Sequence, residues 1–116
     1  MKKAFIIGPF FTQPEERYMK NLRVLMSKKY EVRTPLDVGY KKNGTEDLFS
    51  EDLKAIRESD IILAILDGHD AGTMSEIGYA KALRKNIIGI WTDRERRLDP
   101  FIKWLCSRIV QDIDEV

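Results

Sequence analysis

A chain of 116 residues with 43% hydrophobic and 34% charged residues predicts one soluble domain, 1–116, that is long enough to bury a core. The formal net charge of +1 gives no electrostatic reason to expect nucleic acid or a membrane surface as a partner. No apolar run reaches the length of a membrane span, no signal-peptide core follows Met1, and the single cysteine, Cys106, excludes an internal disulfide. These features predict a cytoplasmic protein.

Five short apolar segments predict the strands of a sheet. They are Ala4–Gly8, Glu31–Thr34, Ile61–Leu66, Asn86–Trp91 and Arg108–Gln111. The third is a run of six apolar residues, which is typical of a strand buried on both faces. We therefore expect this segment to be the central strand of the fold.

Helical patterns occupy the stretches between these strands. The predicted helices are Pro14–Lys29, Glu51–Ser59, a segment that starts at Thr73, and Pro100–Cys106. Thr12 and Ser50 are candidate caps for the first two helices. The stretch Thr34–Asp47 has no apolar period and contains proline and glycine, so we predict a mobile loop there.

Strands and helices alternate along the whole chain, which is typical of a doubly wound parallel α/β sheet. The simplest arrangement of five such strands is the flavodoxin-like order 2-1-3-4-5. Ligands of these sheets bind at the carboxyl ends of the strands, where the strand order reverses. The crevice is therefore expected between Gly8–Phe11, after the first strand, and Asp67–Thr73, after the third.

Two acidic residues follow the third strand at this predicted crevice. Asp70 and Glu76 lie where an open α/β sheet usually binds its ligand. Glu76 has an alternative interpretation, because Thr73-x-x-Glu76 is a capping-box pattern in which the glutamate accepts a hydrogen bond from the N–H of Thr73. Asp70, and Asp67 before it, have the alternative role of simple turn formers.

Asp52 is a third acidic candidate, and it comes from a different predicted helix. That helix turns Phe49, Leu53 and Ile56 inward, and Asp52 precedes Ile56 by four residues, so it leans towards the buried side. Burying a carboxylate without a partner is costly, which favours a functional role. The alternative is an acid in the first helical turn, where it interacts favourably with the helix dipole.

Other chemistries have little support in the sequence. One cysteine and one histidine, His69, leave no credible metal site, and we interpret His69 as a solvated loop residue. The segment after the first strand lacks the glycine patterns of dinucleotide and nucleoside triphosphate sites. Ser75 has no His or Lys partner at a recognisable spacing. No cofactor is therefore predicted.

Three aromatic residues lie towards the C-terminus of the chain. Trp91, Phe101 and Trp104 most simply pack against the edge of the sheet. Their clustering is also typical of a subunit contact, because aromatic side chains concentrate in the cores of protein interfaces.

One run of residues resembles the signature of the nucleoside 2-deoxyribosyltransferase family. This run is Asp67-Gly68-x-x-Ala71-Gly72-Thr73-x-x-Glu76-Ile77-Gly78-Tyr79-Ala80. Two further segments match that family in the expected order, namely Gly8-Pro9-Phe10-Phe11 and Ser50-Glu51-Asp52-Leu53-x-x-Ile56-x-x-Ser59-Asp60. The resemblance covers about the first ninety of the 116 residues, and its specific part extends from Gly72 to Ala80.

The resemblance implies an enzyme that acts on nucleosides. Glu76 matches the family's nucleophile, which attacks the anomeric carbon of a 2′-deoxyribonucleoside and holds the sugar covalently until a second base or water takes it. Asp52 matches the acid that protonates the departing base, and Asp70 matches the residue that holds the sugar hydroxyls. Paired carboxyl groups in such roles follow the logic of retaining glycosidases. Further substrate contacts are expected at Phe5, Gly8, Phe10, Gly72, Thr73 and Ser107.

Two features of the chain depart from the family pattern. Phe5 stands where the family usually has a tyrosine whose hydroxyl orients the nucleophile. The family's C-terminal segment contributes a polar residue to the neighbouring subunit's pocket, and here only Ser107 or Arg108 is available for that role. The resemblance implies a homodimer or higher homo-oligomer, with a nucleoside or nucleotide and a free nucleobase as its small-molecule partners.

Two alternative functions stay open. A sister group of the family hydrolyses 2′-deoxynucleoside 5′-monophosphates and tends to have serine in place of Asp70, because an ionised aspartate repels a phosphate. Asp70 therefore favours a free sugar hydroxyl, whereas Ser107 and Arg108 together could grip a phosphate. The other alternative is a non-catalytic nucleoside or nucleotide sensor, which Phe5 would explain.

Overall fold

The computed structural model describes the backbone of residues 1–37 and 45–116, and the side chains of 1–37 and 48–116. The strands are β1 (Lys3–Ile7), β2 (Glu31–Arg33), β3 (Ile61–Ile65), β4 (Asn86–Ile90) and β5 (Arg108–Val110). The helices are α1 (Gln13–Met26), α2 (Thr45–Glu58), α3 (Ala71–Ala82) and α4 (Pro100–Leu105), followed by a 3₁₀ turn at Ile113–Glu115. No helix in these described ranges is long and apolar enough to cross a bilayer.

The five strands form one parallel sheet in the order β2-β1-β3-β4-β5, which confirms the predicted flavodoxin-like arrangement. β1 is paired on one side with β2, where Ala4 lies opposite Val32, and on the other with β3, where Ile7 lies opposite Ala64. Because every pair is parallel, all five carboxyl ends lie at one edge of the sheet. The strand order reverses between β1 and β3, so the crevice is at their carboxyl ends.

Each face of the sheet carries its own hydrophobic layer. Phe5 of β1 packs in a layer with Ile56 of α2 and Ile77 of α3. Its neighbour Ile6 packs in the opposite layer, which includes Leu22 of α1. This alternation is the period of two that a strand imposes on its side chains. All residues of β3 are buried, which confirms the prediction of a strand covered on both faces.

The structure confirms one predicted helix cap and contradicts the other. The hydroxyl of Thr12 accepts a hydrogen bond from the N–H of Glu15, and Oε1 of Glu15 accepts one from the N–H of Thr12. This reciprocal pair is a capping box at the start of α1. α2 begins at Thr45, so Ser50 lies inside that helix, and the prediction that Ser50 is its cap is wrong.

The predicted mobile loop over Thr34–Asp47 is wrong at both ends. Thr34 is buried, and its N–H and hydroxyl both donate to Oδ2 of Asp37, which fixes a turn directly after β2. The last three residues, from Thr45 onwards, belong to α2. The part of the prediction that concerns residues 38–44 lies outside the described residues.

Candidate active site

The crevice between the ends of β1 and β3 holds a cavity of about 280 Å³. Its apolar lining consists of Phe10, Phe11, Leu48, Phe49 and Leu53. Its polar lining consists of Asp52, Asp70, Thr73, Ser75 and Glu76, and Gly8 and Gly72 complete the wall. The structure thus brings the three predicted acidic residues together at one concave surface.

β1 and β3 approach each other closely where the cavity begins. A Cβ atom added to Gly8 would lie 2.8 Å from Cβ of Ile65, a separation that real Cβ atoms essentially never show. Any side chain at position 8 would therefore have to push the end of β3 away. Glycine at this position, which lines the cavity, allows the two strand ends to lie this close together.

Asp70 is the residue that caps α3. Its Oδ2 atom accepts hydrogen bonds from the N–H of Thr73 at 3.0 Å and from the hydroxyl of Thr73 at 2.9 Å. Thr73 therefore lies inside the helix, and the predicted capping box between Thr73 and Glu76 is wrong. The same aspartate that satisfies the helix start also lines the cavity.

Glu76 consequently has no capping role and lines the cavity from the second turn of α3. Its Oε2 atom is buried and has no hydrogen-bond partner among the described residues. Burial, together with the negative charges of Asp52 and Asp70, raises the pKa of Glu76 to about 8. A buried, unsatisfied carboxyl oxygen at a cavity wall is typical of a functional group rather than a structural one.

Asp52 is only 7% exposed, which confirms that it leans towards the buried side of α2. It is not a first-turn acid, because α2 begins seven residues earlier, at Thr45. Its Oδ1 atom is also buried without a hydrogen-bond partner in the described part of the chain, and burial raises the pKa of Asp52 to about 7. Phe49, which was predicted to face inward, is instead 59% exposed at the rim of the cavity.

The two carboxyl groups of Asp52 and Glu76 titrate close to neutral pH and close to each other. Burial raises both pKa values, and the charge of Asp52 raises that of Glu76 further, so the pair holds about one proton between pH 7 and 8, mostly on Glu76. Such a pair can present a proton donor and a negatively charged oxygen to the same ligand.

Two of the expected substrate contacts do not line the cavity. Phe5 is fully buried in the hydrophobic layer under α2 and α3. Ser107 precedes β5 at the opposite edge of the sheet, where its Oγ atom accepts a hydrogen bond of 3.0 Å from the N–H of Ile87. Gly8, Phe10, Gly72 and Thr73, the other expected contacts, all line it.

His69 and Asp67 have structural partners near the cavity. Nε2 of His69 accepts a hydrogen bond of 3.1 Å from the N–H of Asp99, and its ring centre is 4.9 Å from that of Trp91. His69 is therefore a loop residue, as interpreted, but it is half-buried and hydrogen-bonded instead of fully solvated. Oδ1 of Asp67 accepts a bond of 2.7 Å from the N–H of Thr92, and its other oxygen accepts the Thr92 hydroxyl. These bonds tie the loop after β3 to the segments after β4.

The three C-terminal aromatic residues do not share one role. Trp91 is buried against the sheet, as predicted. Phe101 and Trp104 are 64% and 67% exposed and stack on each other at the surface of α4, with ring centres 6.2 Å apart. For these two residues the prediction of packing against the sheet edge is wrong.

Sequence reasoning missed Leu48 as a cavity residue. Leu48 precedes Asp52 by four positions, so the two share one face of α2 once the helix is extended back to Thr45. That i, i+4 spacing was the signal available in the sequence. Ser75, rejected as a nucleophile, does line the cavity, but its hydroxyl donates to the carbonyl of Ala71 at 2.9 Å.

Comparison with known proteins places the chain among proteins of this architecture. An uncharacterised protein of Ureaplasma parvum is 29% identical over 99 residues, covering 73% of this chain, and the chain spans only 63% of that relative's length. The 2-deoxyribosyltransferase of Bacillus psychrosaccharolyticus superposes with a TM-score of 0.86 at 20% identity, covering 97% of this chain and 88% of the Bacillus chain.

Two further solved structures have the same fold. The 2-deoxyribosyltransferase of Leishmania mexicana is 33% identical, with a TM-score of 0.68 over 80% of this chain and 66% of the Leishmania chain. The CMP N-glycosidase of Clostridium botulinum is 21% identical, with a TM-score of 0.70 over 98% of this chain and 94% of the other. The family model for nucleoside 2-deoxyribosyltransferases matches residues 4–106, which is most of the sequence. The chain therefore belongs to the nucleoside 2-deoxyribosyltransferase family.

Proposed function

We propose that the protein cleaves the N-glycosidic bond of 2′-deoxynucleosides through a covalent sugar intermediate on Glu76 and transfers the sugar to another base or to water. The observation that carries this proposal is the pair of buried carboxyl groups, Asp52 and Glu76, each with an unpartnered oxygen among the described residues, in one cavity beside Asp70. A small cavity with few polar groups and paired acids suits a sugar joined to a planar base.

In the first step, a carboxylate oxygen of Glu76 attacks the anomeric carbon of the sugar. The carbon–nitrogen bond breaks, and its electron pair leaves with the base. The negative oxygen stabilises the positive charge that develops on the sugar ring, and the new carbon–oxygen bond then stores the sugar on the enzyme. Burial supports this role, because a poorly solvated carboxylate loses little solvation when it attacks.

Asp52 supplies the proton that the departing base needs. Its raised pKa of about 7 allows Asp52 to carry a proton at neutral pH, which a solvated aspartic acid does not. Because the pKa of Glu76 is higher, about 8, the shared proton lies mostly on Glu76, and the reactive arrangement, with Asp52 protonated and Glu76 ionised, is the minor form of the pair. In the second step the incoming base or water attacks the anomeric carbon, the bond to Glu76 breaks, and Asp52 takes the proton of the attacking group. Asp52 thereby returns to its starting form and the cycle closes.

Asp70 accepts a hydrogen bond from a hydroxyl group of the sugar. It lines the same cavity as Glu76, and its charge is close enough to raise the pKa of Glu76. The two hydrogen bonds from Thr73 both go to Oδ2, so the second oxygen of Asp70 can take the sugar hydroxyl.

Hydrolysis of a 2′-deoxynucleoside 5′-monophosphate is the second candidate function. The CMP N-glycosidase of Clostridium botulinum, which shares the fold at 21% identity, is a protein of this architecture whose substrate carries a phosphate. The position of Asp70 at the cavity wall opposes this second function, because a carboxylate there repels the phosphate group. We therefore place transfer from free nucleosides first.

Incubation of the protein with a 2′-deoxynucleoside and a different free base tests the proposal, with chromatography to detect the exchanged nucleoside. Base exchange supports the transferase, release of base from the 5′-monophosphate supports the hydrolase, and binding without turnover supports a sensor. Glu76→Ala should abolish transfer, whereas Glu95→Ala, at an exposed glutamate outside the cavity, should not. Full activity of Glu76→Ala would rule out Glu76 as the nucleophile.

The covalent intermediate has a test of its own. Without an acceptor base, a brief reaction followed by acid quenching should give protein whose mass is increased by one deoxyribosyl group. A peptide map should place that group on Glu76, and Asp52→Asn should slow its formation. Modification of any other residue would contradict the assignment.

We also propose that the protein forms a homodimer or a higher homo-oligomer. The stacked pair Phe101 and Trp104 on α4 supports this, because large exposed aromatic side chains are typical of subunit interfaces. Light scattering coupled to size exclusion should give a mass of at least two chains. Trp104→Lys should reduce that mass, and an unchanged mass would place the interface elsewhere.

A further inference from the structure

The side chain of Asp70 is held by two donors from a single residue. Both the backbone N–H and the hydroxyl of Thr73 donate to Oδ2, at 3.0 Å and 2.9 Å. A helix cap requires a side-chain acceptor for a backbone N–H group, and the bond from the N–H of Thr73 to Asp70 already meets that need. The hydroxyl bond is therefore additional to the cap.

The hydroxyl of Thr73 is well placed to fix the carboxylate. Thr73 is 1% exposed, so water does not compete for its hydroxyl. A β-branched side chain in a helix also has few rotamers available, which keeps the hydroxyl in place. Two donors at one oxygen hold the plane of the Asp70 carboxylate and leave its other oxygen for the cavity.

We propose that Thr73 is a positioning residue that orients Asp70 towards a sugar hydroxyl, and that it acts on the substrate only through Asp70; this inference rests on the proposed function. Its hydroxyl proton is committed to Oδ2, so Thr73 itself makes no donor contact with the sugar. A carboxylate fixed in advance accepts the sugar hydroxyl without losing further rotational freedom. The role therefore concerns substrate affinity more than the chemical step.

Thr73→Val tests this role, because valine keeps the branched shape of threonine and removes only the hydroxyl. We expect kcat/KM for a 2′-deoxynucleoside to fall about tenfold, mostly through KM, since one charge-assisted hydrogen bond is lost. Thr73→Ser restores the hydroxyl and should return kcat/KM to within about twofold of the unmodified protein. Thermal unfolding of both variants checks that α3 is intact.

Substrate analogues separate positioning from a general structural effect. The first step is to measure the effect of Asp70→Ala on kcat/KM for the 3′-deoxy and the 5′-deoxy analogue of the nucleoside. The analogue whose kcat/KM does not change is the one that lacks the hydroxyl bound by Asp70. On this analogue Thr73→Val should react as fast as the unmodified protein. Calorimetric titration of the nucleoside should show the same pattern in Kd.

The outcomes separate this inference from the proposed function. An equal loss on the complete substrate and on the insensitive analogue would overturn the positioning role while leaving glycosyl transfer established. Failure of serine to restore affinity would also overturn it. If the unmodified protein neither turns over nor binds a nucleoside, the proposed function is overturned, and the role of Thr73 with it.

Discussion

Replacing Glu76 by glutamine tests the burial of this carboxyl group separately from its chemistry. Glutamine has nearly the same size and stays neutral at every pH. A glutamic acid in the unfolded chain ionises near pH 4.5, whereas burial raises the pKa of Glu76 to about 8 in the folded protein. Because the folded-state pKa is the higher one, the stability that the proton contributes is complete below about pH 4.5 and is lost as the pH rises through 8.

The size of this effect follows from the two pKa values. Each pH unit between them corresponds to about 1.4 kcal/mol, so a rise from 4.5 to about 8 destabilises the ionised folded form by at most about 5 kcal/mol. Glu76 is partly accessible to water, and we therefore expect about 3 kcal/mol. The variant should be more stable than the unmodified protein by that amount above pH 8, and nearly equal to it at pH 4.5.

Urea unfolding at several pH values between 4.5 and 9 measures the difference, with circular dichroism to follow the helices. Glu95→Gln removes the same charge at an exposed position and should show no comparable trend with pH. Parallel stability curves for Glu76→Gln and the unmodified protein would refute the reasoning, because they would mean that the Glu76 carboxylate is well solvated in the folded state. Glycosyl transfer should be absent from the variant at every pH.

Three further predictions concern the neighbours of this glutamate. Asp52→Asn should lower kcat by about 10²- to 10⁴-fold, less for a base that leaves readily. It should also abolish the fall in rate that we expect of the unmodified enzyme above about pH 8, where the pair of Asp52 and Glu76 loses its remaining proton; a residual alkaline fall would assign that proton elsewhere. Asp70→Ser should raise kcat/KM for a 5′-monophosphate relative to the free nucleoside, and an unchanged ratio would contradict the proposed repulsion. Gly8→Ala should destabilise the fold by about 1–3 kcal/mol in urea unfolding, because its Cβ would lie 2.8 Å from Cβ of Ile65. The matched change Gly78→Ala, where nothing lies within 4 Å of the added atom, should be neutral or stabilising by up to about 1 kcal/mol, and equal effects at the two glycines would refute the steric argument.

The sheet could be predicted from the sequence because its signal is strong and local. The short apolar run Ile61–Ile65 is typical of a strand buried on both faces. The alternation of strands and helices then limits the topology to very few arrangements. The start of α2 could not be fixed in the same way. Thr45-Glu46-Asp47 and Ser50-Glu51-Asp52 are equally good helix-start patterns in the sequence, and in the structure the backbone is already helical from Thr45 onwards.

The sequence was sufficient to predict which acidic residues form the candidate site, but not which of them also has a structural role, such as capping a helix. The positions of Asp70 and Glu76 after β3, and of Asp52 beside buried residues of α2, were sufficient to predict that they converge. Asp70 and Thr73 are both good capping residues three positions apart, and only the observed hydrogen bonds decide between them. Phe5 faces the side of the sheet that α2 and α3 cover, but it is fully buried beneath them, and the sequence alone could not decide that it is not part of the cavity wall.

Asp70 has two roles, as the cap of α3 and as part of the cavity wall, and this restricts which substitutions at position 70 the fold can accept. One carboxylate both begins α3 and sets the charge of the cavity wall, so replacement by most residue types weakens the helix along with the selectivity. Only asparagine, serine and threonine alter the charge while still accepting a hydrogen bond from the helix N–H groups. Under the proposed function, a change of preference from neutral to phosphorylated sugars by one substitution at this position is therefore limited to that short set of side chains.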